Sequence, residues 1–261
     1  MQIGMMNNPQ YKLLEEVAFA AENSFDFLDL TLEPPQGIPS PETIPRLRDI
    51  LADHGMSCIG HTAYYLPIDS PFQQLRQASA DIIKTHLDLF HAVGSRRVTL
   101  HAAFSYPHRF FPYSSKLEFW TEALTEILPA AHARGIVIML ENVPETRDHL
   151  RLLKDLFRRF PDLAFHLDVG HANLNVTANS TFNYLRRFKK RLIHIHLSDN
   201  FGRSQDLHLP IGAGGIPWNH VLKVIKNAGY DGTFTIEVFS QNRSYLVKSR
   251  EILRMLWEQL D

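Results

Sequence analysis

Short apolar runs recur along the chain, with longer amphipathic stretches between them. The runs fall at 2–5 (QIGM), 26–31 (DFLDLT), 56–60 (MSCIG), 97–101 (RVTLH), 137–141 (VIMLE), 164–168 (AFHLD), 192–197 (LIHIHL) and 233–238 (TFTIEV). They are rich in β-branched and aromatic residues and too short for helices, which predicts strands. The stretch 11–23 carries Leu13, Leu14, Val17, Ala18 and Ala21 on one helical stripe. The stretches 41–55 and 117–135 end in Gly55 and Gly135, a helix-stop signal. Helical patterns at 71–93, 146–159, 180–190, 218–229 and 244–260 complete the set. Eight strands alternating with eight helices predict parallel strands joined by right-handed crossovers. The expected architecture is one (β/α)8 barrel over residues 1–261, with no linker, low-complexity tract or charge block to mark a second domain. An open doubly wound sheet would need fewer strands and usually a Gly-rich phosphate loop after the first strand. The segment IGMMNNPQ is not such a loop.

The strand ends carry the candidate chemistry. Metal-type side chains close or follow most of the later runs: His61, His101, Glu141, Asp168 with His171, His196, Asp206 with His208, and Glu237. In a barrel of parallel strands these ends share one face, where such barrels place their active sites. Five imidazoles and four carboxylates converging there suit one to three divalent cations. Any one of them alone reads as readily as a hydrogen-bonded rim residue. A carboxylate ending a long apolar strand, as Glu141 and Glu237 do, needs a cation or hydrogen bonds to compensate its burial. His194 precedes His196 by two, so both point the same way; His194 and His166 are expected one layer down, as core residues or as support for the ligands. Gly212, Gly214 and Gly215 let the loop after Asp206 and His208 approach the site closely.

Composition narrows the class. The 261 residues suit one barrel, and an apolar fraction of 44% supports a full core. The formal charge of −1 gives no global field toward nucleic acid or anionic membrane. The single Cys58 lies in an apolar strand, excludes an intrachain disulfide and suits a reducing compartment. Neither a signal peptide nor an apolar run long enough to span a membrane is seen, so a cytoplasmic enzyme is expected.

The ordered set His61, His101, Glu141, D-x-x-H at 168–171, H-I-H-L-S-D at 194–199, D-x-H-x-P-I-G-x-G from Asp206 and the final Glu237 resembles the xylose isomerase-like TIM-barrel superfamily. That group holds sugar isomerases and epimerases as well as endonuclease IV, and the resemblance covers nearly the whole chain. Two patterns follow from it. In isomerases and epimerases one metal is held by Glu, Asp, His and Glu, matching Glu141, Asp168, His196 and Glu237. In endonuclease IV three zinc ions use all nine positions, adding His61, His101, His171, Asp206 and His208. Tyr64 matches a position where endonuclease IV carries a tyrosine that enters DNA.

Charge placement separates these readings. The predicted loops at the strand C-termini carry Arg109, Arg147, Arg203 and Arg243 and no lysine. A DNA-cleaving enzyme should line its site with cations, whereas few arginines suit a small phosphorylated or carboxylated substrate. The basic run RRFKKR at 186–191 precedes the seventh strand and falls on the opposite face, as a solvated helix end. The expectation is therefore a metal-dependent isomerase or epimerase of a small sugar, sugar phosphate or polyol. The resemblance implies that Glu141 and Glu237 move the proton through a metal-stabilised enediolate, with zinc, manganese, magnesium or cobalt as the cation. Glu33, Tyr64, His171 and Arg203 are the expected substrate contacts. The alternatives are a trinuclear zinc phosphodiesterase acting on abasic-site DNA and a barrel that binds a ligand without catalysis.

Overall fold

The computed structural model describes residues 1–103, 110–144 and 148–260. Eight parallel strands close on themselves in chain order, β1 pairing with both β2 and β8. They are β1 (Gln2–Met6), β2 (Phe27–Leu32), β3 (Ser57–Thr62), β4 (Arg97–His101), β5 (Val137–Glu141), β6 (Ala164–Asp168), β7 (Leu192–Leu197) and β8 (Thr233–Ile236). The helices between and after them are α1 (Leu13–Glu22), α2 (Thr43–Asp53), α3 (Gln73–Ala92), α4 (Tyr113–Ala133), α5 (His149–Arg159), α6 (Thr181–Phe188), α7 (Trp218–Asn227) and α8 (Ser244–Glu258). The predicted (β/α)8 barrel is the observed fold. No helix among the described residues is long and apolar enough to cross a membrane.

Strand parity sorts the side chains into two cores. Residues that point outward, such as Leu28, Leu30, Val98, Leu100, Phe165, Leu167, Ile195 and Phe234, pack with the helices in the main core. Residues two apart on the other face point into the barrel. Its lower layer is a separate apolar cluster of Phe27, Ile59, Met139 and Ala164. One step up each strand the interior turns polar, with Asp29, His61, Glu141, His166 and Asp168 all buried. Bonds between strands that are not neighbours cross this interior, as Thr99 on β4 meets His166 on β6 at 3.0 Å. The β6–β7 ladder slips between Phe165 and His166. The extra residue lets Ile193 pack on the lower cluster while His194 and His196 keep the inward phase.

The helix ends follow the glycines. Gly55 and Gly135 adopt φ of 61° and 63°, and the next residues return N–H groups to Leu51 and Ala131, closing Schellman caps. Most boundaries shift by one or two residues, and those of α4 and α5 by more. The α4 helix starts at Tyr113, straight after Pro112, because proline is pre-organised for a helix start and Tyr113 is anchored on Asp155 at 2.8 Å. The α5 helix begins at His149, and 146–147 of its expected span lie outside the described residues. The α6 helix ends at Phe188. The ladder of β8 stops at Ile236, with Glu237 one step beyond, its N–H still on the Leu197 carbonyl at 3.1 Å. Within the basic run, Arg191 is not a solvated end: its guanidinium donates to the carbonyls of Leu163 (2.9 Å) and Phe157 (3.1 Å), stapling the base of β6 to α5.

Candidate active site

All nine predicted donors lie at the C-terminal mouth of the barrel, and they fall into groups whose donor atoms stand within 4.8 Å of one another: His61, His101 and Glu141; Glu141, Asp168 and His171; and Asp168, His196 and Glu237. Asp206 joins them through His171 Nε2 at 2.9 Å, and His208 through Asp206 at 3.3 Å. Glu141 is the hub. Its Oε2 lies 3.0 Å from both His61 Nε2 and His101 Nε2, and its Oε1 lies 3.3 Å from His171 Nδ1. Glu237 closes the other side, with Oε2 3.1 Å from His196 Nδ1 and 3.7 Å from His208 Nδ1.

Each ring is aimed by what stands behind it. His61 Nδ1 donates to its neighbour's carbonyl, Thr62 O, at 2.9 Å, which turns Nε2 into the site. His171 Nδ1 donates to Asn142 O at 2.8 Å and likewise presents Nε2. Asn142 extends the β5–β6 pairing with its side chain: Nδ2 donates to Asp168 O and Oδ1 accepts the Asp168 N–H, both at 2.9 Å. The loop bearing Asp206 and His208 is pinned by buried Asp199. That carboxylate accepts the N–H groups of Gly212 and Ile216 and the Trp218 indole N–H, the last at 2.8 Å. Gly214 passes so close to Asp199 that an added Cβ would lie 2.4 Å from its Oδ1.

The electrostatics are those of carboxylates and imidazoles packed together out of water. Burial alone would raise the Glu141 carboxyl, yet the facing imidazoles of His101 and His166 hold it well below its usual range. Burial lowers a histidine, but Glu237 and Asp29 hold His196 well above its usual value. Asp168 is pushed up to about 7 by burial, with Glu237 and Glu141 adding to the rise. Three carboxylates thus crowd one buried space, and Asp168 Oδ2 and His208 Nδ1 are buried without a hydrogen-bond partner among the described residues. Atoms of this kind cost free energy unless something bonds them. Divalent cations satisfy both the lone pairs and the charge, so the residues present fit a metal.

Above the donors lies a cleft of about 770 Å³. Glu33, Tyr64 and His171, expected to contact substrate, line it together with Met6, Asn8, Tyr11, Phe239 and Gln241, which the sequence reading did not single out. Glu33 accepts the Thr31 hydroxyl at 3.0 Å, and burial raises its carboxyl. Tyr64 is 61% exposed, its ring 5.9 Å from that of His101. Of the expected arginines, the two described ones do not line the cleft. Arg203 is exposed, lies on the left-handed turn after Gly202 (φ 63°) and is not among the cleft-lining residues. Arg243 is committed to Glu16 at 2.9 Å and stacks on Phe19. Arg109 and Arg147 lie outside the described residues. The residue most clearly missed is Asp29, fully buried in mid-β2, whose Oδ2 takes His196 Nε2 at 2.7 Å. A carboxylate interrupting FLDLTL was the available signal.

Comparison with known proteins bears on the family and the fold. The chain is 30% identical over 247 residues to the uncharacterized protein MJ1311 of Methanocaldococcus jannaschii, covering 90% of this chain and 81% of that one. It is 23% identical over 201 residues to the probable endonuclease 4 of Thermotoga maritima, covering 69% and 68% of the two chains. Among solved structures, a D-tagatose 3-epimerase-like protein superposes with a TM-score of 0.87 at 28% identity, covering 100% of this chain and 98% of the other. The family model described as xylose isomerase-like TIM barrel matches residues 17–256, and the chain belongs to that family.

Proposed function

We propose that the protein is a divalent-metal-dependent isomerase or epimerase acting on a small sugar or polyol. One observation carries the reading: two buried glutamates, Glu141 and Glu237, stand on either side of Asp168 at the floor of a cleft, each flanked by imidazoles. Glu141, Asp168, His196 and Glu237 would hold the cation. When bound, the cation supplies Lewis-acid polarisation of a carbonyl oxygen and offsets negative charge that develops on it. The chain's own groups do the rest. One glutamate, ionised, removes the proton from the carbon beside the carbonyl; the other, protonated beforehand from solvent through its neighbouring imidazoles, gives a proton to the opposite face or to the neighbouring carbon, and exchange with solvent resets both. The imidazoles hold both carboxyls low at rest, which keeps the accepting one ionised. Tyr64 and Phe239 offer aromatic faces to a sugar ring, while Glu33, Asn8 and Gln241 offer hydrogen bonds to its hydroxyls. The substrate class covers a small sugar, its phosphate or a polyol. The D-tagatose 3-epimerase-like relative supports the same substrate class.

The test is deuterium incorporation from heavy water into a panel of ketoses and aldoses by metal-loaded protein. Exchange next to the carbonyl is expected, and Glu141→Gln or Glu237→Gln should each reduce it by about 10²–10⁴-fold, the usual contribution of a positioned acid or base. Exchange that survives both substitutions, or none with any sugar, would sink the proposal.

The second reading is an endonuclease-IV-like zinc phosphodiesterase, favoured by the complete nine-donor set and exposed Tyr64. Nucleic-acid binding draws most of its strength from cationic contacts to phosphates, and the described cleft lacks them. Chelator-sensitive nicking of an abasic-site duplex, without sugar exchange, would reverse the order of the two readings.

A further inference from the structure

We infer that Asp29 is the positioning residue that fixes the His196 ring with Nδ1 turned to the Asp168–Glu237 group; the inference rests on the metal-binding reading above. Asp29 is fully buried at mid-strand, a layer below the donors. Its Oδ2 stands 2.7 Å from His196 Nε2, 2.9 Å from His194 Nε2 and 2.8 Å from Thr235 Oγ1. An ionised carboxylate only accepts hydrogen bonds, so each of the three must present a hydrogen. His196 therefore carries its proton on Nε2. The nitrogen left to bind a cation is Nδ1, which lies 3.1 Å from Glu237 Oε2 and 3.9 Å from Asp168 Oδ2.

The arrangement is the reverse of the other two anchored rings. His61 and His171 lean on backbone carbonyls through Nδ1 and offer Nε2. A carbonyl orients a ring, but a full negative charge also makes it a stronger electron donor to a metal. His196 alone among the three has a carboxylate behind it.

A metal on the lower histidines is the competing account, because His166, His194 and His196 also group together. The partners of those rings argue against it. His194 uses Nε2 on Asp29 and Nδ1 on the Thr233 hydroxyl, at 2.9 Å and 2.8 Å. His166 Nδ1 is on the Thr99 hydroxyl at 3.0 Å, and His196 Nε2 is on Asp29. The layer is a support for the site above it.

Two measurements test this. In zinc-loaded wild-type protein, ¹⁵N NMR of the imidazoles should show His196 metal-bound through Nδ1 and protonated at Nε2. Asp29→Asn should weaken zinc binding by about 10–100-fold, the usual consequence of losing such a support. Thr235→Val removes a hydrogen bond from Asp29 without touching His196, and should leave the affinity little changed. If Asp29 merely holds β2, β7 and β8 together, both variants will lower thermal stability and affinity alike. Zinc on His196 Nε2, or an unaltered affinity in Asp29→Asn, would overturn the inference alone. Should Asp29→Asn fail to fold, the wild-type spectrum still decides it. Wild-type protein that binds no divalent ion would overturn the metal reading together with it.

Discussion

His149 is fully buried behind the mouth of the barrel, where its Nε2 accepts the Val143 N–H at 3.3 Å. Burial, reinforced by the nearby His171 charge, lowers it to about 3. The folded state therefore prefers the neutral ring. That preference contributes fully above the ordinary histidine range near 6.5 and is lost as pH falls from there toward 3. His149→Gln keeps an acceptor for Val143 but takes up no proton. Urea unfolding should show wild type losing about 2 kcal/mol more than the variant between pH 7 and pH 5. Parallel pH profiles would contradict this. At the residue scale, legibility in the sequence depended on position. The convergence of His61, His101, Glu141, Asp168, His196 and Glu237 was readable only as a set, because each alone passes for a rim residue while strand ends repeated around a barrel share one face. Asp29 was not, because its role needs β2 and β7 to face each other across a closed barrel. Arg203 was expected at the site and lies exposed off the cleft wall, since a loop position does not say where a side chain falls.

Elements were legible where one period dominated. The strands and most helices lie close to the positions their apolar patterns predict, and Gly55 and Gly135 end helices through their left-handed φ. Boundaries drifted where a side chain far in sequence decided them, as Asp155 does for the start of α4. The loop after β7 is the element whose order matters most to the site, since it carries Asp206 and His208. The Asp199 carboxylate holds it from within, beside backbone bonds such as the bridge to Leu209 and the Gly215 N–H on Asn200 O at 2.8 Å. Asp199→Asn keeps the shape but offers an amine where an acceptor is required. It should cost about 2–3 kcal/mol, the scale of losing hydrogen bonds to a charged group. Amide exchange at Gly212 and Ile216 should accelerate while the β-barrel amides stay protected. Unchanged protection at those two amides would show that the loop is held by packing alone.

For the molecule as a whole, the alternation of strands and helices made the barrel readable, because few topologies accommodate eight such repeats. The choice between substrates was less readable, since the cleft wall is assembled from residues as far apart as Asn8, Tyr64 and Gln241. The same assembly has a thermodynamic consequence. Folding forces Glu141, Asp168 and Glu237 into one buried space, and their mutual repulsion opposes the closing of the barrel mouth. A cation bound only by the folded state reverses this. At a free-ion concentration of about 100 times Kd the gain is about 2.7 kcal/mol. For a domain of this size, each kcal/mol moves the melting temperature by about 2–4 °C. Protein stripped by a chelator should therefore melt roughly 5–10 °C lower than protein resupplied with manganese or zinc. Replacing Asp168 by asparagine should shrink the difference, because one of the repelling charges and one donor vanish together. A melting temperature indifferent to chelation and resupply would mean that the convergent carboxylates are satisfied by protons and imidazoles alone, and that the cleft floor is not a metal site.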